Sequence, residues 1–331
     1  MIKRIRCLRT ANTYPYKNLA VEEYLTEHAA EGECTLFLWQ NRNTVVIGRN
    51  QNCWKECKVN YLENDGGFLV RRLSGGGAVY HDLGNLNFTF TVRCSSYDVS
   101  RQLDVILRAV QMLGIHAEKS GRNDIIADGR KFSGNAFLLT DNGCYHHGTI
   151  LLRVDQKQMA KYLNVSVDKL AAKGVDSVKS RVVNLCELAP AVTVELMCEK
   201  LEAAFAEVYG CPVRPMSEEE LDEEEIRRLT EKFESDEWKY GRSLPFEKEI
   251  ARRFGWGDVC LQIHADKGKI ESANIFSDAM NQDFILRLAD RLSGCAYDEK
   301  SLFHVIDGMP GTEEDILTMK KDLKQLIHEK M

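Results

Sequence analysis

No stretch of this chain approaches the ~20 consecutive apolar residues that a membrane span requires. The basic opening Met1-Ile2-Lys3-Arg4-Ile5-Arg6 is not followed by an apolar run of signal-peptide length. The expectation is a soluble protein of the cytoplasm. An excess of basic charge is missing too. The formal net charge is −6, whereas a general nucleic-acid binder carries a positive field. The eleven cysteines include no Cys-x-x-Cys pair and follow no repeated spacing. Cys53 and Cys57 could share a helix face, but two thiols do not close a zinc site. Most cysteines therefore read as buried, reduced, small apolar side chains of a reducing compartment. Internal repeats and low-complexity tracts are absent, as are a Walker loop and a dinucleotide fingerprint.

What is present is a soluble, globular composition, 44% hydrophobic and 28% charged, in 331 residues. That length suggests two domains, 1–247 and 248–331. The most informative stretch is Arg71-Arg72-Leu73-Ser74-Gly75-Gly76-Gly77-Ala78-Val79-Tyr80-His81. Three glycines stand between two strand-like triplets, Phe68-Leu69-Val70 and Ala78-Val79-Tyr80, and predict a hairpin over 68–82. Glycine permits close backbone approach to a ligand, and successive N–H groups in such a turn form a nest for an anion. Arg72 at its rim can grip a carboxylate or phosphate with two parallel hydrogen bonds. A plain Gly-rich hairpin turn is the other reading of the same residues.

Elsewhere the pattern predicts a helix over 16–29 and strands over 35–39 and 44–47. Residues 86–92 alternate as a half-buried strand, and 99–113 form an amphipathic helix closed by Gly114. Strands at 130–140 and 145–153 flank the turn Asp141-Asn142-Gly143. Helices follow at 155–163, 166–171 and 193–209, the last led by a Thr193 cap. Seven of the nine residues 217–225 are acidic, which reads as a solvated helix face. A hairpin over 259–263 and 270–276, with helices at 282–293 and 313–329, makes a small C-terminal α+β unit.

Several segments in register resemble one family. They are Asn18 to Glu23, Thr44 to Asn52, Arg71 to Asn85 (RRLSGGGAVYHDLGN), Lys131 to Gly134 (KFSG), His146 to Thr149 (HHGT) and Lys173 to Leu185 (KGVDSVKSRVVNL). Together they resemble the bacterial lipoate–protein ligase A family, in order from about residue 12 to about residue 295. The resemblance implies an α/β (α+β) fold of the biotin/lipoate ligase type. Its mixed, largely antiparallel sheet is flanked by helices, with a small accessory domain behind. It implies ATP-dependent formation of lipoyl-AMP from lipoate and MgATP, then transfer to a carrier lysine. The implied carriers are acyltransferase subunits of 2-oxoacid dehydrogenase complexes and the glycine-cleavage H protein.

By the same resemblance Lys131 is the catalytic cation, a point charge able to reach both carboxylate and phosphate. Arg72, Gly77, Ala78, Val79 and Tyr80 match the ATP-contacting segment, with Lys131. Arg72, Ser74, Gly75, Gly76 and Lys131 match the lipoate slot. His147 and Gly148 join it, although strand alternation alone does not say which of His146 and His147 faces the pocket. Asp124 is a candidate magnesium contact, or simply part of a turn with Asn123. Lys173, Gly174, Ser177, Val178, Ser180, Arg181 and Val182 match a lid over the adenylate, which would keep water from a reactive acyl phosphate. No tightly bound cofactor is implied, and monomer is the default. A transferase of the same fold with a Cys144 thioester stays open, since a thiolate beside His146-His147 is a sensible nucleophile. So does a lipoate-binding protein without activity.

Overall fold

The computed structural model describes residues 2–121, 123–164, 182–241 and 246–330. The chain forms two compact units. The first comprises residues 1–46, 54–71 and 79–239; the second comprises 47–53, 72–78 and 240–331.

The first unit is built on an eight-stranded sheet ordered β11-β1-β2-β6-β10-β9-β8-β7. Its strands are β1 (Arg4–Arg9), β2 (Glu33–Trp39), β6 (Asn85–Val92), β7 (Ala117–Ser120), β8 (Asp124–Ala127), β9 (Arg130–Leu139), β10 (Cys144–Leu151) and β11 (Val213–Met216). β1 pairs in parallel with β2 and β11, and the other pairs are antiparallel. The mixed, largely antiparallel sheet implied by the resemblance is what forms.

β6 shows how the sheet is filled. Leu86, Phe88, Phe90 and Val92 enter a core shared with Val105, Ile106 and Phe205 from the helices Val99–Gln111 and Val194–Tyr209. Asn85, Asn87, Thr89 and Thr91 point to the other face and are buried as well. The alternation that predicts a half-buried strand therefore marks a strand covered on both faces. Its polar face lies toward the helix Pro15–Glu27, whose Glu22 accepts a hydrogen bond from Thr89. The flanking helices end as their sequences direct. Asp98 caps Val99–Gln111, Thr193 caps Val194–Tyr209, and Gly210 closes the latter at φ 68°.

Two expectations are corrected. The segments around the triple glycine do not form a hairpin. β3 (Thr44–Ile47) lies between β4 (Phe68–Arg71) and β5 (Val79–His81) in a three-stranded sheet. The acidic run divides: Glu218–Glu220 is a single separate turn, while Glu223–Glu225 form the solvated first turn of a helix that starts behind an Asp222 cap. Glu218 and Glu220 are bonded to Lys17 and Arg6.

In the second unit β12 (Lys248–Phe254), β13 (Gly257–Asp266) and β14 (Lys269–Ser277) form an antiparallel sheet. The β13–β14 turn carries Lys267 and Gly268 at positive φ. The helices Gln282–Leu292, Glu299–Asp307 and Glu314–Lys330 close a separate apolar core around Ile250, Leu261, Ile285 and Leu323. Among the described residues no helix is long and apolar enough to cross a membrane.

Candidate active site

In the first unit the chemistry collects where β8, β9 and β10 run side by side. A turn with Asp128 and Gly129 at positive φ returns the chain from β8 to β9. The ladder then slips between Ile125 and Ile126, which face Ser133 and Lys131 in turn, leaving Phe132 without a partner. The Lys131 side chain lies over the next turn of strand. A methyl group on Gly134 would stand 2.8 Å from Nζ and 3.0 Å from Cε, so only glycine leaves this path clear. Nζ sits 2.6 Å from Asp124 Oδ1, with both side chains roughly one-third exposed. An ion pair this wet contributes little stability, and its effect is to hold the ammonium in one place. Thr149 Oγ1 accepts the Gly134 N–H at 3.3 Å. Val183 N donates to Lys131 O at 2.9 Å, and Val182 bridges to Lys131.

His146 and His147 on β10 point to opposite faces, as alternation requires. His147 Nδ1 is 2.8 Å from Oε1 of Glu22, which is almost wholly buried. The same oxygen accepts from Thr89 Oγ1 at 2.7 Å, and Thr89 in turn accepts from Trp39 Nε1 at 3.1 Å. A carboxylate out of water needs such donors. Glu22 belongs to the resembling Asn18–Glu23 segment, yet sequence reasoning gave it no role. The signal was an acid directly after the apolar run Leu19-Ala20-Val21, the first of the pair Glu22-Glu23.

His146 turns the other way, among the rings of Phe88, Phe90 and Phe137. Burial pushes its pKa down to about 3, so the ring is neutral. Its Nε2 lies 2.8 Å from Asn135 Oδ1. Gly148 is also buried here, where a methyl would stand 2.8 Å from Gly134 O and 2.9 Å from Asn135 Oδ1. Val79 and Tyr80 on β5 face Val46 and Val45 of β3. The Tyr80 hydroxyl donates to Asn43 Oδ1 at 3.1 Å, and burial raises the phenol pKa.

The glycine loop belongs to the second unit. Arg72, nearly buried, closes the loop on itself. Its Nε donates to Ser74 Oγ and Gly75 O at 3.1 Å, and Nη2 donates to Gly75 O at 2.6 Å and Gly77 O at 2.9 Å. The guanidinium expected at the rim thus also organises the loop carbonyls. Gly76 takes φ 89°, a region closed to most side chains, and its N–H reaches Ala279 O at 3.3 Å. Ser74 is fully buried, and its carbonyl accepts from Arg49 N at 2.9 Å. Gly77 and Ala78 are half-exposed, with open space where a Gly77 side chain would be.

Of the residues expected in the site, Lys131 and Asp124 converge, over Gly134, with His147 farther along β10. The loop residues Arg72 to Gly77 form a separate constellation within their own unit. Lys173, Gly174, Ser177, Val178, Ser180 and Arg181 of the expected lid lie outside the described residues, as does the helix expected at 166–171. Cys144 is corrected. Its sulfur is bonded to Cys94 and fully buried, so it presents no thiolate, and these two residues are exceptions to the reduced reading. The other nine cysteines carry reduced thiols. Among the described residues no group of three or more histidine, cysteine or acidic side chains could hold a metal.

The model of the lipoyl protein ligase A/B catalytic domain matches residues 14–206, and that of the bacterial lipoate protein ligase C-terminus matches 243–328. Among solved structures the chain is similar to P. falciparum LipL1 in complex with lipoate, at 27% identity and TM-score 0.85 over 97% of this chain and 99% of that one. It is similar to a bi-partite lipoate protein ligase from Thermoplasma acidophilum, solved in a study with its E2 lipoyl domain. There the identity is 25% and the TM-score 0.64, over 74% of this chain and 98% of that one. A lipoate-protein ligase A bound with ATP gives 25% identity and TM-score 0.63, over 73% and 99%.

Proposed function

This chain belongs to the lipoyl protein ligase A/B family, and from that premise we propose that it activates free lipoate with MgATP and ligates it to carrier proteins. In the first step a lipoate carboxylate oxygen attacks the α-phosphorus of ATP. The acyl–phosphate bond forms, the bond to the β-phosphate bridge breaks, and pyrophosphate leaves. In the second, the ε-amine of a carrier lysine attacks the acyl carbon. The amide forms, AMP departs with the bonding electrons, and the amine loses its proton to solvent. The carriers are lipoyl domains of 2-oxoacid dehydrogenase acyltransferase subunits and the glycine-cleavage H protein.

The observation that carries this reading is the Lys131 ammonium, held by Asp124 over the bare Cα of Gly134. Two anions must meet in the first step, and a fixed cation offsets their repulsion and stabilises charge growing on the phosphate oxygens. Asp124 is a single half-exposed carboxylate. That suits sharing a magnesium ion brought in by the triphosphate, since magnesium binds through one or two carboxylates plus phosphates. Within the second unit, Gly77 and Ala78 offer half-exposed backbone suited to an anion, and Arg72 holds Ser74-Gly75-Gly76 in a formed loop. Within the first unit, His147, keyed by Glu22, lies on the strand next to that of Lys131.

The test is intact-mass analysis of a lipoyl carrier domain incubated with the protein, lipoate and MgATP. The expected result is one lipoyl group on one lysine, dependent on ATP. Transfer of an octanoyl or lipoyl group from an acyl-carrier donor without ATP would instead support the transferase, which the buried Cys94–Cys144 bond disfavours.

A further inference from the structure

We propose that His146 is a positioning residue for lipoate activation: through Asn135 it clamps Asn123 and so sets Asp124 beside Lys131. The proposal rests on the role given to Lys131 above.

The ring is out of contact with solvent, 5.1 Å from Phe137, 5.4 Å from Phe88 and 6.0 Å from Phe90 between centroids. A polar ring is a poor choice for an aromatic cage unless its hydrogen bond is needed, and Phe or Leu would pack there without cost. Nδ1 has no partner and Nε2 has one, so the proton of the neutral ring belongs on Nε2 and is donated to Asn135 Oδ1.

That bond decides which way the Asn135 amide faces. With Oδ1 engaged, Nδ2 is turned to Asn123 O, 3.0 Å away. Asn135 N reaches the same oxygen at 2.9 Å, and Asn123 Nδ2 returns to Asn135 O at 2.7 Å. Three hydrogen bonds thus hold Asn123, the residue before Asp124. The ladder beyond cannot do this alone, because its register slips one residue past Asp124–Gly134 and Ile125–Ser133. Gly148 leaves the space in which the Asn135 amide lies.

The test compares His146→Phe, His146→Gln and Asn123→Ala with the wild type. It reads kcat for lipoate-dependent pyrophosphate release, lipoate affinity by calorimetry, and Tm. His146→Phe fills the cage and removes the donor. It should keep Tm and lipoate affinity while kcat falls about tenfold or more, the scale of a sub-ångström misplacement. His146→Gln keeps a donor near Nε2 and should recover kcat to within about threefold of wild type. Asn123→Ala removes one of the three bonds, the return bond from Asn123 Nδ2 to Asn135 O, and should lower kcat in the same direction, by less, even if His146→Phe does not fold. Wild-type kcat in Asn123→Ala, or in a folded His146→Phe, overturns the proposal. So does a His146→Gln as impaired as His146→Phe. Lys131→Ala is run alongside. If it is inactive while the clamp variants are normal, only this inference fails; if it is active, the reading beneath it fails.

Discussion

Replacing Gly134 with alanine should injure catalysis without injuring the fold. The new methyl would lie 2.8 Å from Lys131 Nζ, and ordinary van der Waals contact begins at 3.4 Å. The ammonium must therefore retreat by at least about 0.6 Å. The obstacle is the end of a flexible, one-third-exposed side chain, so the chain can yield where backbone could not. Strand stability should hold or rise slightly, because glycine in a strand interior costs about 0.5–1 kcal/mol relative to alanine. Catalysis depends on placement, and a 1 Å error can cost about a hundredfold. A drop of about tenfold to a hundredfold in kcat for lipoate-dependent pyrophosphate release is expected, or about 1.4–2.7 kcal/mol on the barrier. Stopped assays of pyrophosphate, paired with thermal melts, read both quantities. A Gly134→Ala protein with wild-type kcat would show that Lys131 need not lie where the structure holds it, and the argument from its placement would collapse.

Other outcomes follow from the same geometry. Glu22→Leu should lower stability by about 1–3 kcal/mol for each donor left unsatisfied, measured by urea denaturation, because it strands His147 and Thr89 without their buried acceptor. His146 makes stability pH-dependent. Its pKa is depressed from 6.5 to about 3, so the unfolded chain binds a proton that the folded one refuses. The associated stability is fully present above about pH 6.5 and is lost toward pH 3, by about 1.4 kcal/mol per pH unit. The wild type should therefore lose stability faster than a folded His146→Gln across that window, and parallel curves would refute it. Cys144→Ser should keep ATP-dependent lipoylation within about threefold, since an adenylate route asks nothing of a thiol; loss of transfer would count against it.

How much of this was legible in sequence depended on range. β9 and β10 show in their own residues, because Asp141-Asn142-Gly143 is strong turn chemistry between two apolar runs. The core helices show in their spacing and, for the later one, in the cap at Thr193. β1 and β11 do not. Arg4 to Arg9 carries three arginines, and Val213 to Met216 contains a proline suited only to an edge. Their pairing joins segments some two hundred residues apart, which no local pattern records. The triple glycine was misread as a hairpin for the same reason: a turn is local, but the strand between its arms, β3, comes from earlier in the chain. Lys131 stands out in the sequence because its neighbours are distinctive. Glu22 was overlooked because a helix glutamate is ordinarily at the surface, and only the fold reveals His147 and Thr89 above it. The Cys94–Cys144 bond was invisible among eleven unpatterned cysteines.

The most direct test of the central claim is pyrophosphate release from MgATP with no carrier present. The account predicts a burst of about one pyrophosphate per enzyme that requires lipoate, leaves lipoyl-AMP on the protein, and falls by about a hundredfold or more in rate in Lys131→Ala. Absence of any lipoate-dependent pyrophosphate from the wild-type protein, or an undiminished burst from Lys131→Ala, would contradict it.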